Sequence, residues 1–235
     1  MNNPILNYGN VRLLNVPFAK AVADEVFLED CYRFDEIPDD SVVFDIGGFY
    51  GEFGIRCWKE KKCLVSVYEP SLINFQILQL NVELNKNNCG IAIDIYRAVI
   101  SGEEGLRSFS YNPDHPAGSI LSGFTHTYDN VIAECVESFR LKPQTQLAKF
   151  RYPHKKICVK MDCEGAEKEI FESDQTWMDD VDLVTMEWHN YDGDYYAGFL
   201  EKKGFVVELE GGGPQPRPKW DKTIGGGLLF AKKVD

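Results

Sequence analysis

The fold of this chain follows from the stretch Val42-Val43-Phe44-Asp45-Ile46-Gly47-Gly48-Phe49-Tyr50-Gly51. Its apolar part indicates a buried strand, which ends in an acid and a glycine-rich turn. A second apolar strand closes on Val67-Tyr68-Glu69-Pro70. The glycine turn leads into a helix N-terminus, which attracts negative charge, and an acid at the next strand tip accepts hydrogen bonds from ribose hydroxyls. The pattern therefore predicts a nucleotide-binding half-unit.

The composition is that of a globular protein. The 235 residues are 44% hydrophobic and 26% charged, values typical of a folded domain. The formal net charge is −12, whereas general binding to nucleic acid requires clustered Lys and Arg. We therefore expect a single domain over residues 1–235 and no nucleic-acid partner.

The sequence also bears on the compartment. The N-terminus lacks the basic and apolar regions of a signal peptide, and no apolar run approaches the roughly 20 residues of a membrane helix. The seven cysteines are odd in number and form no CxxC pair, which favours buried free thiols in a reducing compartment. We expect a cytoplasmic protein without a membrane partner; the sequence leaves the oligomeric state open.

Strands and helices alternate along most of the chain, which predicts a doubly wound, mostly parallel, seven-stranded α/β sheet. The predicted strands are Val42–Ile46, Leu64–Tyr68, Ile91–Ile100, Lys156–Met161, Leu183–Trp188, Phe205–Leu209 and Leu228–Lys232. Helices are predicted at Glu52–Lys61, Leu72–Asn85 and Tyr195–Lys203. The second of these is expected to begin at an N-cap Ser71 and to bury one aliphatic face, formed by Ile73, Ile77, Leu80 and Leu84.

Two regions depart from this alternation. Residues 1–40 are mixed in character and are expected to form an N-terminal cap. Residues 101–153 contain two strand-like runs, Leu106–Tyr111 and Val131–Phe139, and are expected to form a small insertion beside the sheet. The polar loop between these runs (112–130) and the Pro/Gly-rich segment 211–225 are where we expect contacts to an acceptor molecule, since loops often carry specificity.

The absence of two common nucleotide-binding motifs narrows the type of nucleotide that this site can bind. The dinucleotide pattern G-x-G-x-x-G fails at Phe49, and the chain has no Walker sequence. The pattern that remains is D-x-G-x-x-x-G, formed by Asp45, Gly47 and Gly51. An acid just before the turn would repel a pyrophosphate, but it suits a ligand that carries an ammonium group beside a sulfonium.

These residues resemble the FkbM family of class I S-adenosylmethionine-dependent methyltransferases. The resemblance rests on the glycine loop, on Tyr68-Glu69-Pro70 and on the run Lys160-Met161-Asp162-Cys163-Glu164-Gly165-Ala166-Glu167. It extends to Arg97-Ala98-Val99 and Met186-Glu187-Trp188-His189, and so spans about residues 40 to 210. It implies a Rossmann-like fold, S-adenosylmethionine as cofactor, and methyl transfer to a hydroxyl of a small molecule or sugar.

The resemblance also implies roles for individual residues. Asp45, Gly47 and Gly51, with Gly48 in the same loop, would line the methionine end of the cofactor. Glu69 would hold the ribose diol. Ala98 and Val99 would border the adenine, and Asp162 would lie nearest the transferred methyl group.

Catalytic residues are predicted where two strands end. Asp162 follows one strand, and Glu187 and His189 lie on one side of another because they are two residues apart. If these strands are neighbours, about 4.8 Å apart, the three side chains converge at the carboxyl edge of the sheet. Asp162 or His189 would then assist removal of the hydroxyl proton. A bound cation would also help, and a metal role for Asp162, Glu187 and His189 stays open as an alternative, but we assign no metal ligands from the sequence.

Other interpretations stay open at this point. Asp45 and Asp162 also fit simple helix caps, and His189 also fits a hydrogen-bonded strand-end residue. The protein as a whole could bind S-adenosylmethionine without catalysis, as a sensor or scaffold. A third alternative is methylation of a protein or nucleic-acid amine, which the acidic charge and the lack of an Asn/Asp-Pro-Pro-aromatic motif count against.

Overall fold

The computed structural model describes residues 3–86, 93–112, 118–119, 131–189, 193–211 and 226–234. The strands in these ranges are β1 (Ile5–Tyr8), β2 (Val11–Leu14), β3 (Val42–Ile46), β4 (Leu64–Tyr68), β5 (Ile93–Tyr96), β6 (Ala98–Ile100), β7 (Gly105–Tyr111), β8 (Gly118–Ser119), β9 (Ile132–Phe139), β10 (Ile157–Met161), β11 (Leu183–His189), β12 (Phe205–Gly211) and β13 (Gly226–Lys233). The helices are α1 (Ala19–Phe27), α2 (Glu52–Glu60), α3 (Leu72–Asn85), α4 (Leu141–Arg151), α5 (Glu167–Glu172), α6 (Trp177–Asp180) and α7 (Gly193–Glu201).

A seven-stranded sheet forms the centre of the fold. Its strand order is β12-β13-β11-β10-β3-β4-β5, and β13 runs antiparallel to both of its neighbours while the others are parallel. Every residue of β3 and of β10 is buried, as expected for strands covered on both faces. The predicted doubly wound, mostly parallel sheet is confirmed, and its arrangement is the Rossmann-like one of class I methyltransferases.

Helices cover the two faces of this sheet with separate cores. One core joins α1, α2 and α3 to one face, with Trp58 and Leu78 among its fully buried side chains. The other joins α4 to α7 to the opposite face, around Phe171 and Trp177. Because both faces are sealed, the open part of the sheet is its carboxyl edge, where parallel sheets bind ligands.

The third predicted strand is wrong in its extent. We expected one strand over Ile91–Ile100, but the backbone breaks at Arg97, and β5 and β6 belong to different sheets. The second part pairs with β9 in a four-stranded sheet of order β6-β9-β7-β8, and Arg97 forms an ion pair with Glu134 of β9. This pairing is made with residues far along the chain, so the local pattern did not reveal it.

The region 101–153 contains more regular structure than expected. Its two predicted strands are present as β7 and β9, which pair antiparallel beside the main sheet. It ends, however, in a helix that we did not predict, α4, whose Leu141 and Ala148 pack into the main core. Of the segments expected to contact an acceptor, residues 113–117, 120–130 and 212–225 lie outside the described residues.

Helix α3 begins as predicted but buries a different face. Ser71 is its N-cap, with a side-chain oxygen that accepts a hydrogen bond from the Asn74 backbone N–H at 3.4 Å. Of the predicted aliphatic face, Ile73 and Leu80 are 40% and 56% exposed. The fully covered residues are Leu78, Asn81, Val82 and Asn85.

The N-terminal segment covers that buried face. Strands β1 and β2 form an antiparallel hairpin, and the Leu14 backbone N–H donates to Asn81 Oδ1 at 2.8 Å. The Arg12 backbone N–H donates to Asn85 Oδ1 at 3.0 Å. Two asparagines therefore occupy positions that the apolar pattern did not select.

The cysteines of the described residues are free thiols. Cys57, Cys63 and Cys158 are buried, as predicted, whereas Cys135 is exposed. None of the helices within the described residues is long and apolar enough to cross a membrane.

Candidate functional site

Four strand ends meet at the carboxyl edge of the sheet. Strands β4, β3, β10 and β11 are consecutive and parallel there, so the residues that follow them lie along the same edge. This placement brings the glycine loop, Glu69, Asp162 and His189 to one edge. Strands β10 and β11 are paired neighbours, which meets the condition on which the predicted approach of Asp162, Glu187 and His189 depended.

The glycine loop after β3 is fitted closely to its surroundings. The backbone N–H groups of Gly47 and Gly48 both donate to the Tyr68 carbonyl at 3.0 Å. Gly47 and Gly51 have φ values of +75° and +91°, a region that favours glycine. A Cβ on Gly48 would lie 2.1 Å from Val67 Cγ1, so this position also excludes larger residues. The loop backbone is therefore held in one conformation by glycines at three positions.

Asp45 packs against the protein side of this loop and has no exposed surface of its own. It is fully buried, and its Oδ2 accepts a hydrogen bond from the Gly54 backbone N–H in the first turns of α2 at 3.0 Å. Its Oδ1 lies 3.3 Å from Lys160 Nζ, and Lys160 also donates to the Gly47 carbonyl at 2.7 Å. Burial lowers the pKa of Lys160, but the carboxylates of Asp45 and Asp162 outweigh it and raise the pKa. The pair supports the loop from below.

Glu69 holds the other side of the loop. Its Oε2 accepts from the Phe49 backbone N–H and its Oε1 from the Ser71 backbone N–H, both at 2.9 Å. Burial raises the pKa of Glu69 to about 7, against these hydrogen bonds. The Asn74 side-chain amide also donates to Oε1 at 3.4 Å, so Oε2 is the Glu69 oxygen that retains a lone pair for a ligand hydroxyl.

Ala98 and Val99 lie just beyond the end of β5, in strand β6. Ala98 packs into the main core, and Val99 packs with Phe109, Tyr111 and Val136 of the smaller sheet. Both residues are buried. They follow β5, the neighbour of the strand that ends at Glu69, and their contact with the adenine stays a prediction.

Asp162 directly follows β10, and a residue from the N-terminal segment contacts it. Its backbone N–H donates to the Ile46 carbonyl at 2.9 Å, and its Oδ2 accepts from the Tyr32 hydroxyl at 2.8 Å. Lys160 Nζ lies 3.9 Å from the same oxygen. The Asp162 side chain remains 28% exposed, so solvent reaches it.

His189, at the end of β11, is held by a buried carboxylate. Its Nδ1 lies 3.3 Å from Glu167 Oε1, and Glu167 is fully buried. Glu167 also accepts from the Cys163 N–H at 3.0 Å and the Gly165 N–H at 2.7 Å, which ties His189 to the loop after β10. Burial lowers the pKa of His189, but Glu164 and Glu167 outweigh it and raise the pKa well above its ordinary value.

Two further carboxylates face the second ring nitrogen of His189. Its Nε2 lies 3.6 Å from Glu164 Oε2 and 3.7 Å from Glu187 Oε1. An oxygen of Asp162 lies within 4.8 Å of both a Glu164 oxygen and a His189 nitrogen. His189 is thus close to both Asp162 and Glu187, and Glu164 joins Asp162 and His189 in one cluster.

Sequence reasoning missed three residues that shape this edge. Lys160 stands in the K-x-D-x-E-G-A-E run, and a lysine inside a fully buried strand was the signal that could have singled it out. Glu167 ends the same run and was given no role in the site, yet it orients His189. Tyr32 carries no local signal, because its contact with Asp162 joins residues 130 positions apart.

The sheet order, the glycine loop and the acid at the tip of β4 define a class I methyltransferase fold. Residues 48–207 match the Methyltransferase FkbM domain, and the chain belongs to this family. Its methyl donor is S-adenosylmethionine, the cofactor of that family, as the resemblance implied. The protein is accordingly a methyltransferase.

Two relatives resemble the chain along most of its length. Methyltransferase 1 of Beauveria bassiana (strain ARSEF 2860) is 27% identical over 214 residues, which cover 83% of this chain and 82% of its own length. Methyltransferase sdnD of Sordaria araneosa is 24% identical over 218 residues, covering 80% and 83% respectively.

Solved structures provide more distant likenesses. M. jannaschii TYW2 in complex with AdoMet has a TM-score of 0.48 at 13% identity, covering 100% of this chain and 89% of its own. An rRNA methylase from Streptococcus thermophilus also has a TM-score of 0.48, at 9% identity, covering 89% and 96%. At these TM-scores neither structure carries an argument about the substrate.

Proposed function

We propose that this methyltransferase transfers the methyl group of S-adenosylmethionine to a hydroxyl of a small molecule or sugar. The observation that carries the proposal is the group of proton-accepting side chains at the ends of β10 and β11. Asp162, Glu187 and His189 meet there, one strand away from the glycine loop after β3. A site for donor binding thus adjoins a site able to take up a proton.

The donor side fits the cofactor by the chemistry of its groups. Glu69 would accept a hydrogen bond from a ribose hydroxyl, since its carboxylate stands at the tip of β4 and its Oε2 keeps one lone pair beside the Phe49 N–H. Gly47, Gly48 and Gly51 leave the loop backbone bare, so that a ligand can approach it closely. Asp45 and Lys160 would keep this loop in place from below.

The acceptor side fits a hydroxyl nucleophile. When bound, S-adenosylmethionine supplies a methyl group already activated by the sulfonium, so alignment accounts for much of the acceleration. A hydroxyl gains the methyl group and loses its proton, and a nearby base assists this loss. Of the two candidates, Asp162 suits the role of base better, because its side chain is accessible and the pKa of His189 is raised.

Calorimetry tests the donor assignment. We expect the wild type to bind S-adenosylhomocysteine, and Glu69→Gln to bind it about tenfold more weakly or worse, because one charged acceptor of the ribose diol is lost. Glu83→Gln, an equal change at an exposed position of α3, is the matched control and should bind like the wild type. Equal affinity in Glu69→Gln and the wild type would refute the assignment.

Labelled-methyl transfer tests the acceptor. Protein is incubated with methyl-labelled S-adenosylmethionine and with separate pools of sugars, hydroxylated small molecules, RNA and protein. We expect label in a hydroxyl-bearing small molecule as a methyl ether. Label in RNA or protein amines would favour the amine alternative. Cofactor binding without transfer to any pool would favour a sensor or scaffold.

A further inference from the structure

The loop after β10 and the end of β11 bring together three side chains of the types that bind metal ions. One oxygen of Asp162, one oxygen of Glu164 and one ring nitrogen of His189 lie within 4.8 Å of one another. Ligand atoms at about 2.1 Å from a shared ion are separated by about 3–4 Å. Small side-chain rotations would therefore bring the three atoms into one coordination sphere.

His189 provides independent evidence that points to a ligand. His189 is only 7% exposed, and its Nδ1 forms a hydrogen bond with Glu167 Oε1. The other nitrogen, Nε2, lies at ion-pair distance from two carboxylate oxygens, 3.6 Å from Glu164 Oε2 and 3.7 Å from Glu187 Oε1, both longer than a direct hydrogen bond. A buried imidazole whose one nitrogen is fixed by a carboxylate, and whose other nitrogen faces carboxylate oxygens, has the arrangement of a metal-binding histidine.

The charge around this nitrogen also calls for a cation. Carboxylates of Asp162, Glu164, Glu167 and Glu187 gather within one loop and one strand end. Lys160 lies 3.9 Å from Asp162, but its ammonium group already contacts Asp45 and the Gly47 carbonyl. These carboxylates already favour the protonated ring of His189; a divalent ion would take the place of the Nε2 proton and offset their mutual repulsion with two charges instead of one.

We propose that Asp162, Glu164 and His189 bind one divalent cation, with Glu167 as the positioning residue for His189. Two carboxylate oxygens and one imidazole nitrogen combine hard and borderline ligands, a set that suits Mn²⁺ better than Ca²⁺ or Mg²⁺. The role of the ion rests on the proposed function: it would bind the acceptor hydroxyl and make its proton easier to remove.

Calorimetric titration with MnCl₂ tests the site on full-length protein freed of metal by chelation. We expect one Mn²⁺ per wild-type chain. Glu164→Gln and His189→Gln should each weaken Mn²⁺ binding by at least about tenfold. Glu201→Gln, at an exposed position of α7, removes the same charge elsewhere and should leave the affinity unchanged. Circular dichroism checks folding, and Asp162→Asn replaces His189→Gln if the latter does not fold.

Two results would overturn the metal site: no Mn²⁺ binding by the wild type at millimolar concentration, or an unchanged affinity in the ligand variants. A parallel titration with S-adenosylhomocysteine separates this result from the donor assignment. Binding of the nucleoside without Mn²⁺ binding overturns only the metal site. Binding of Mn²⁺ without the nucleoside supports the metal site and overturns the donor assignment.

Discussion

Gly47 is the residue on which the geometry of the cofactor loop depends most directly. A Cβ at this position would lie 1.8 Å from the Asp162 carbonyl oxygen, and the φ of +75° disfavours any other residue. The Cβ would be fixed directly to the main chain, and the carbonyl oxygen is part of it, so neither atom can rotate away. Gly47 thus sets how closely the loops after β3 and β10 approach each other.

We expect Gly47→Ala to lower the free energy of unfolding by about 3 kcal/mol, because the two loops must separate. Urea denaturation measures this change. Gly198→Ala is the control, because a Cβ at this position of helix α7 would meet nothing within 4 Å. That variant should gain about 0.5–1 kcal/mol. Equal stability of the two variants would show that the close approach is not maintained in solution.

Glu52 is a buried acid at the start of α2 with incomplete pairing. Only 1% of it is exposed, its Oε2 accepts from the Tyr50 N–H at 3.2 Å, and its Oε1 has no partner among the described residues. Burial raises the pKa of Glu52 to about 8. The folded state therefore holds this proton more tightly than the unfolded state does.

The raised pKa of Glu52 makes the folded state less stable as the pH rises. Below the unfolded pKa of 4.5 the carboxyl is neutral in both states; as pH rises towards 8, the folded state loses stability relative to the unfolded state. We expect this group to cost on the order of 3 kcal/mol between pH 5 and pH 8. Glu52→Gln should remove that cost. The free energy of unfolding of the variant, relative to that of the wild type, should therefore increase as the pH rises. Parallel pH curves for wild type and variant would contradict the assignment; Glu83→Gln serves as the exposed control.

At the scale of elements, the hairpin β1–β2 and the cofactor loop are joined through one side chain of α3. Asn81 accepts from the Leu14 N–H at 2.8 Å and donates to the Tyr50 carbonyl at 2.9 Å. Asn81 is fully buried, so both backbone groups would lose their partner without access to water if it were removed. The N-terminal segment is thereby coupled to the edge of the sheet that carries the site.

We expect Asn81→Ala to cost about 2–3 kcal/mol of unfolding free energy. The Leu14 amide should also exchange its hydrogen faster, which hydrogen-exchange mass spectrometry or NMR detects. Gln79→Ala on the exposed face of α3 is the matched control and should change neither quantity appreciably. If Leu14 stays as protected in Asn81→Ala as in the wild type, the hairpin is held by other contacts.

At the scale of the whole molecule, the charge restricts the partners. A net charge of −12 opposes association with a polyanion over the protein's whole surface. We expect no binding of a labelled tRNA-sized RNA in fluorescence anisotropy at either about 50 mM or about 200 mM salt. Affinity that falls steeply between these salt concentrations would reveal a local basic surface and would favour the RNA alternative.

Much of the fold was predictable because it depends on local patterns. The buried strands β3, β4, β10 and β11 and the helices α2 and α3 follow from apolar runs, periodicity and turn residues within a few positions. Two of the errors share one cause. Strand β6 leaves the main sheet to pair with β9, and α3 buries asparagines that bind a distant hairpin. Neither partner is visible in the window from which the pattern is read.

The sequence by itself determined the family, the donor and the strand tips at which the site is built, because Gly47, Gly51, Glu69 and Asp162 act through the position of each in its own strand and turn. The tertiary structure decided which side chains meet. It placed Asp45 under the cofactor loop with Lys160, brought Tyr32 to Asp162, and grouped Glu164 and Glu167 around His189. These contacts join segments far apart in the chain, and only the packing of the sheet and its covering segments brings them within reach.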